Sequence, residues 1–211
     1  MDQPRVLPEQ LPTASFTTIY DDEDHLLTNV QVQHESVTNL TLPHPMLDHV
    51  VFTEVTFTGS VFDRLELTDA IFIKCDFSNC HFEKASFLRT RFVNCKMVGL
   101  DLTGAVLNNV QFDHCLLDLA MLCEMKLKTT DFITCRLTDA SIMDDRLTKV
   151  RFNDCDLDKA SFNQTALKNV NLSSCHFERL DLEPAMARGM LVNRDQAAIL
   201  AQYFNGVRVT D

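Results

Sequence analysis

Residues 70–99 read AIFIKCDFSNCHFEKASFLRTRFVNCKMVG, and a large apolar side chain stands at every fifth position: Phe72, Phe77, Phe82, Phe87, Phe92 and Met97. Followed outward, the step begins at Phe52 and reaches Leu182 without a slip, giving twenty-seven consecutive apolar centres. It takes up thirteen of the fifteen phenylalanines, so this period sets the core. Two residues before most centres lies a second, smaller series that includes Ala70, Cys75, Cys80, Ala85, Thr90, Cys95 and Ala105. A period of five matches neither the 3.6 of a helix nor the 2 of a flat strand. A chain that turns a corner every five residues sends the centre and the small residue inward and leaves three positions outside. Four corners close a coil of twenty residues, and such coils stack through backbone hydrogen bonds at about 4.8 Å.

The twenty-residue period is itself visible. Cys75, Cys95, Cys115, Cys135, Cys155 and Cys175 recur on one inner side, and Phe72, Phe92, Phe112, Phe132 and Phe152 on another. The expected architecture is therefore all-β: a right-handed, four-sided parallel β-helix over residues 46–183. Residues 1–45 are expected to form an N-terminal capping segment of irregular strands, continuous with the solenoid, and residues 184–211 a C-terminal capping or dimerisation helix. Pro4, Pro8, Pro12, Pro43, Pro45 and Pro184 all lie outside the repeat body, where a missing N–H would interrupt the ladder. Asp145 falls at an inward small-residue position, which predicts a local bulge or a partner such as Arg146. Cys123 alone among the cysteines falls outward and is the expected accessible thiol.

The units ASFLR (85–89), CDFSN (75–79), CDLDK (155–159) and ASFNQ (160–164) resemble the Ala-Asp/Asn-Leu-x-x consensus of the pentapeptide-repeat family. The unbroken coil, a helix after the last repeat and LPEQLP at 7–12 look like its Qnr and MfpA subgroup, in the loopless form of Gram-positive Qnr proteins. That resemblance implies a homodimer joined through the C-terminus. In NRDQAAILAQYF, Asn193 reads as helix N-cap and Gly206 lies just past the end, while Ile199, Leu200, Tyr203 and Phe204 make an apolar side available for the dimer contact or for capping the chain's own last coil.

The chemistry read from residue types argues against an enzyme. Five glycines form no phosphate loop, HExxH and GxSxG are absent, and a closed rod has convex faces. The inward cysteines behave as small hydrophobes, and His81, His114 and His176 point outward, so no metal site and no cofactor are expected. There is no apolar run of the roughly 18 residues that cross a bilayer and no export signal, which predicts a cytoplasmic protein with reduced thiols and no membrane association.

The formal net charge of −11 disfavours direct nucleic-acid binding. By segment, residues 1–49 hold eight acids and one base, 50–182 nineteen and fifteen, and 183–211 three of each. Assigned to faces, Asp63, Glu83, Asp101, Glu124, Asp144, Asp181 and Glu183 fall together, opposed only by Arg64 and Lys84. The preceding face carries Asp76, Asp118, Asp139, Asp156, Asp158 and Glu178 with Lys96, Arg136, Lys159 and Arg179. The following face is basic, with Arg89, Lys126, Lys128, Arg146, Lys149 and Lys168 against Glu66 and Asp69. An acidic stripe on a rod imitates the phosphate track of duplex DNA. With the resemblance to Qnr and MfpA proteins, this implies a DNA mimic that binds DNA gyrase or topoisomerase IV and protects it from quinolones or modulates it. The alternative is an interaction scaffold for another protein.

Overall fold

The computed structural model describes residues 1–208. Seven parallel strands twenty residues apart form its main sheet: β1 (Leu26–Gln33), β3 (Met46–Thr53), β5 (Glu66–Ile73), β6 (Ser86–Val93), β7 (Val106–Asp113), β8 (Lys126–Ile133) and β9 (Arg146–Asn153). The short strands β2 (Thr41–Pro43) and β4 (Val61–Asp63) pair on another side. Single parallel bridges such as Asp76↔Lys96, Asp101↔Met121 and Arg136↔Asp156 carry the remaining sides. Register is always twenty: Phe72↔Phe92, Phe92↔Phe112, Phe112↔Phe132. The four-sided parallel β-helix read from the repeat is the fold of this chain.

Its corners have one conformation. From Asn29 to Asn169 every fifth residue is left-handed, with φ between +47° and +74°. L-residues accept this at a cost, least for Gly, Asn and Asp, and the ladder holds most corners, as where Asn79 N–H donates to Val98 O at 2.9 Å.

Inside, Phe52, Phe72, Phe92, Phe112, Phe132 and Phe152 stack with centroids 4.9–5.1 Å apart and nearly parallel planes. The six cysteines of the twenty-residue ladder are buried and, with Cys80, unpaired as disulfides; Cys123 is half-buried. Cys80 Sγ donates to Phe57 O at 3.0 Å, and burial pushes its thiol up to about 12. Cys80 therefore packs as a neutral small side chain.

The structure corrects the N-terminal boundary. The regular coil starts at residue 26, because Leu27, Val32, Val37, Leu42 and Leu47 already keep the five-residue phase. Residues 26–45 are thus the first coil and not an irregular cap. Pro43 and Pro45 lie on this outermost coil, where one side of the ladder has no neighbour to serve. The cap is shorter and sits before it. Ser15 caps the 3-10 helix Phe16–Asp21, and Glu35 accepts from the backbone N–H of Phe16 at 2.9 Å. Phe16 and Ile19 are buried, and Phe16 meets Phe52, Phe57 and Phe62 at 5.4–6.2 Å, plugging the open end of the stack.

Ahead of that plug, residues 2–12 run across the coils. Asp2 N–H donates to Asn109 Oδ1, Arg5 N–H to Asp69 Oδ1, and Gln31 N–H to Pro12 O, each at 2.9 Å. At the other end, α1 (Arg194–Asn205) has the expected N-cap: Asn193 and Gln196 form a reciprocal capping box, and Gly206 closes the helix at φ +63°.

Asp145 is accommodated without a bulge and without Arg146. Its Oδ1 accepts the backbone N–H of Met125 one coil earlier at 2.6 Å, and its own N–H donates to Thr165 Oγ1 at 3.0 Å. In neighbouring coils the equivalent amide closes its own turn, as Ala105 N–H does onto Leu102 O. At Met125 and Asp145 that turn is open and a side chain one coil on satisfies the amide. Asp145 Oδ2 has no partner, and burial raises the carboxyl from 3.8 to about 7, against the opposing Met125 N–H.

Two outcomes follow. Phe16→Ala, which unplugs the first coil, lowers unfolding stability by about 3–5 kcal/mol in a urea titration. For Asp145 the folded pKa lies above the unfolded one, so folding takes up a proton and the group's contribution falls as pH rises from about 4 through about 7. Asp145→Thr, which keeps an acceptor for Met125 N–H, therefore gains on the wild type by on the order of 2 kcal/mol between pH 5 and pH 8 in paired urea titrations; a constant difference would refute the buried-acid account.

Candidate protein-binding faces

The rod brings the sequence-selected acids to its outside unequally. Asp63, Glu83, Glu124, Asp144 and Glu183 are exposed on one face. Asp63 lies 3.3 Å from Arg64 Nε, whereas Glu83, Glu124, Asp144 and Glu183 have no cation within ion-pairing distance among the described residues. Asp181 is half-buried and accepts from Asn163 Nδ2 at 3.0 Å and Tyr203 Oη at 3.4 Å. Asp101 departs from the expectation: it is only 6% exposed, and its Oδ1 accepts the N–H of Thr103 at 2.9 Å. It folds back onto its own turn in the manner of an Asx turn, and is structural first. His81, Glu83 and Asp101 nonetheless bring one ligand atom each within 4.8 Å of one another, a grouping that the cysteine-centred reading passed over.

The preceding face is neutralised from within. Lys96 Nζ stands 3.3 Å from Asp76, and Arg136 Nε donates to both oxygens of Asp118 at 2.7 and 2.9 Å. Asp156 and Asp158 are half-buried turn acceptors: Asp156 takes the N–H of Asp158, and Asp158 takes those of Glu178 and Arg179. Asp139 is exposed and without such a partner.

The basic face divides into two parts. Near the N-terminus Asp69, 1% exposed, holds Arg89 through both oxygens at 2.6 and 2.7 Å and receives Arg5 N–H. Burial works against its charge, yet Arg89 and the Arg5 amide outweigh it and hold the carboxyl below its ordinary value. Toward the C-terminus Lys126, Lys128, Arg146, Lys149 and Lys168 are exposed and unpaired among the described residues, with Lys126 stacked on Arg146.

The C-terminal apolar group is spent partly on its own chain. Leu200 is buried, and Ile199 and Phe204 are half-buried against the core. Gln196, which the sequence reading missed, is 4% exposed and donates Nε2 to Leu172 O and Cys175 O at 2.9 and 2.7 Å, closing the last coil's free carbonyls. Tyr203 is 45% exposed beneath the Arg179 guanidinium. Between the helix and the last coil, Arg179, Leu180, Ile199 and Tyr203 border an open groove of about 440 Å³. No described helix is long and apolar enough to cross a membrane.

Among solved structures, a trypsin-treated form of QnrB1, a plasmid-mediated fluoroquinolone resistance protein, is 20% identical and covers 88% of this chain and 99% of its own, with a TM-score of 0.45. HetL, a pentapeptide repeat protein involved in heterocyst differentiation regulation in Nostoc sp. strain PCC 7120, is 19% identical over 80% of this chain and 85% of its own, at a TM-score of 0.31. No curated protein sequence matches. Family models described as "Pentapeptide repeat region" and "Pentapeptide repeats (8 copies)" match residues 65–142 and 146–183, together more than half of the chain. The chain belongs to the pentapeptide-repeat family.

Proposed function

We propose that this protein binds a type II topoisomerase, DNA gyrase or topoisomerase IV, as a mimic of duplex DNA, and protects it from quinolones or modulates its activity. The observation that carries this reading is the face bearing Glu83, Glu124, Asp144 and Glu183, which are exposed, unpaired among the described residues and mounted on a rigid ladder. Carboxylates with no internal cation offer their full charge to a basic groove, and the fixed coil removes the ordering cost that flexible side-chain clusters bear on binding. Asp76 and Asp118 contribute less, since Lys96 and Arg136 already answer them. From residue 26 onward the coils extend roughly 40 Å at the strand spacing. Pairing of two rods through their C-terminal ends would double this. Tyr203, with the half-buried Ile199 and Phe204, supplies that contact, and Leu200 supports it from beneath.

The scaffold reading has its own observation. Lys126, Lys128, Arg146 and Lys149 form a basic area that a phosphate mimic does not require, and it suits an acidic protein partner.

Supercoiling by purified gyrase, with and without a fluoroquinolone, tests the first reading across a titration of the protein. Rescue at low concentration or inhibition at higher concentration is expected. The triple variant Glu83→Lys, Glu124→Lys, Asp144→Lys should lose the effect while keeping its unfolding midpoint, since none of the three side chains is buried; an undiminished effect rejects the acidic face. Affinity for the topoisomerase should also fall steeply between low and moderate salt, as contacts between exposed charges do. Flat salt dependence, with no effect on either enzyme, would leave the scaffold reading.

A further inference from the structure

Leu119 occupies a place where the backbone penalises it. It sits at a left-handed corner with φ +58°, and its N–H is locked into the ladder by Thr138 O at 3.0 Å. The four preceding coils put Asn39, Gly59, Asn79 and Gly99 at this corner, and the next puts Asp139 there. Among all the left-handed corners from residue 29 to residue 169, Leu119 is the single apolar side chain. A branched apolar residue at such φ is strained, and it has no local hydrogen bond to offset the cost.

Nor does burial repay it. Leu119 is 61% exposed, and Leu116 and Met121 beside it are 36% and 41% exposed. Of the four exposed large apolar side chains between residues 26 and 183, three therefore fall within residues 116–121, the fourth being Val106. Leu116 stands between Lys96 and Arg136 in its stack, and each of these cations is already held by an acid, Asp76 and Asp118. Asp118 is satisfied by Arg136, but Asp139, one coil below Leu119, and Glu124 and Asp144, at the next corner, have no cation within ion-pairing distance among the described residues.

We propose that Leu116, Leu119 and Met121 form an apolar anchor, bordered by Asp139, Glu124 and Asp144, that inserts into an apolar recess edged by lysine and arginine side chains on a protein partner. The unpaired acids select a basic rim, and the strained leucine marks the centre of the contact, as buried apolar anchors do at interfaces. The proposal rests on the topoisomerase reading, and places the recess within that enzyme's basic DNA-binding groove.

Leu119→Asn separates fold from contact, because asparagine suits the left-handed corner better than leucine. Its urea midpoint should rise above the wild type's. Its affinity for the purified gyrase A subunit, read by fluorescence anisotropy of labelled protein, should weaken roughly thirtyfold, the cost of removing an interface hot spot. The loss should persist at moderate salt, where charge contacts are screened. Leu119→Gly, which any such corner accepts, serves as a second variant should asparagine disturb the stack. A variant that is more stable and binds as the wild type does overturns the anchor while leaving the topoisomerase reading intact. Wild-type protein that binds neither gyrase nor topoisomerase IV overturns both.

Discussion

Every feature of this molecule depends on closing a coil in twenty residues so that its amides meet the carbonyls of the next. That closure demands a left-handed residue at each corner, and the run of positive φ from Asn29 to Asn169 is its record. Once the corners are set, the inward positions have little freedom. The centre must fill the interior against the centre one coil away, hence the stacked phenylalanines, and the residue two before it is small in most units, hence alanine and cysteine, with Leu65, Leu100, Met125 and Leu180 as the larger side chains buried there. Asp145 obeys the same demand: with its turn open, the amide of Met125 needs an acceptor, and an inward side chain supplies one.

The core was legible from the sequence because the repeat is a statement about side chains, and its apolar centres cannot be moved. What escaped was set by the backbone or by single contacts. The first coil was passed over because it is built on leucine and valine and carries Pro43 and Pro45, although Leu27, Val32, Val37, Leu42 and Leu47 are in phase. Asp101 shares its outward place in the repeat with exposed neighbours, and only the geometry reveals that it turns back onto Thr103. Likewise Leu200 and Gln196 look alike in position on a helix side, yet both are absorbed by the last coil. Charge signs could be assigned to faces, whereas the division between acids answered by a cation, such as Asp118, and acids left open, such as Glu124, required coordinates.

That division gives the rod its electrical character. Where opposite charges alternate along a stack, as from Asp76 to Lys96, the ladder itself cancels the field. Where a stack repeats one sign, as Glu124 above Asp144 or Lys126 above Arg146, residues of like charge sit one coil apart, their backbones about one strand spacing from each other. Such repulsion is tolerated because the stacked core holds the backbone in place, and a partner of opposite sign would relieve it.

In a solenoid each coil touches only its neighbours, so unravelling can begin at a free end and travel one unit at a time. The N-terminal segment changes this. By reaching from Pro12 at Gln31, past Asp69, to Asn109, it fastens together coils that share no contact of their own. It acts as a clasp along the outside of a stack, so that peeling the first coil must also release hydrogen bonds several coils away. The N-terminal half thereby gains cooperativity that a nearest-neighbour array lacks, and the C-terminal coils, which no such strand crosses among the described residues, remain the end from which the rod frays.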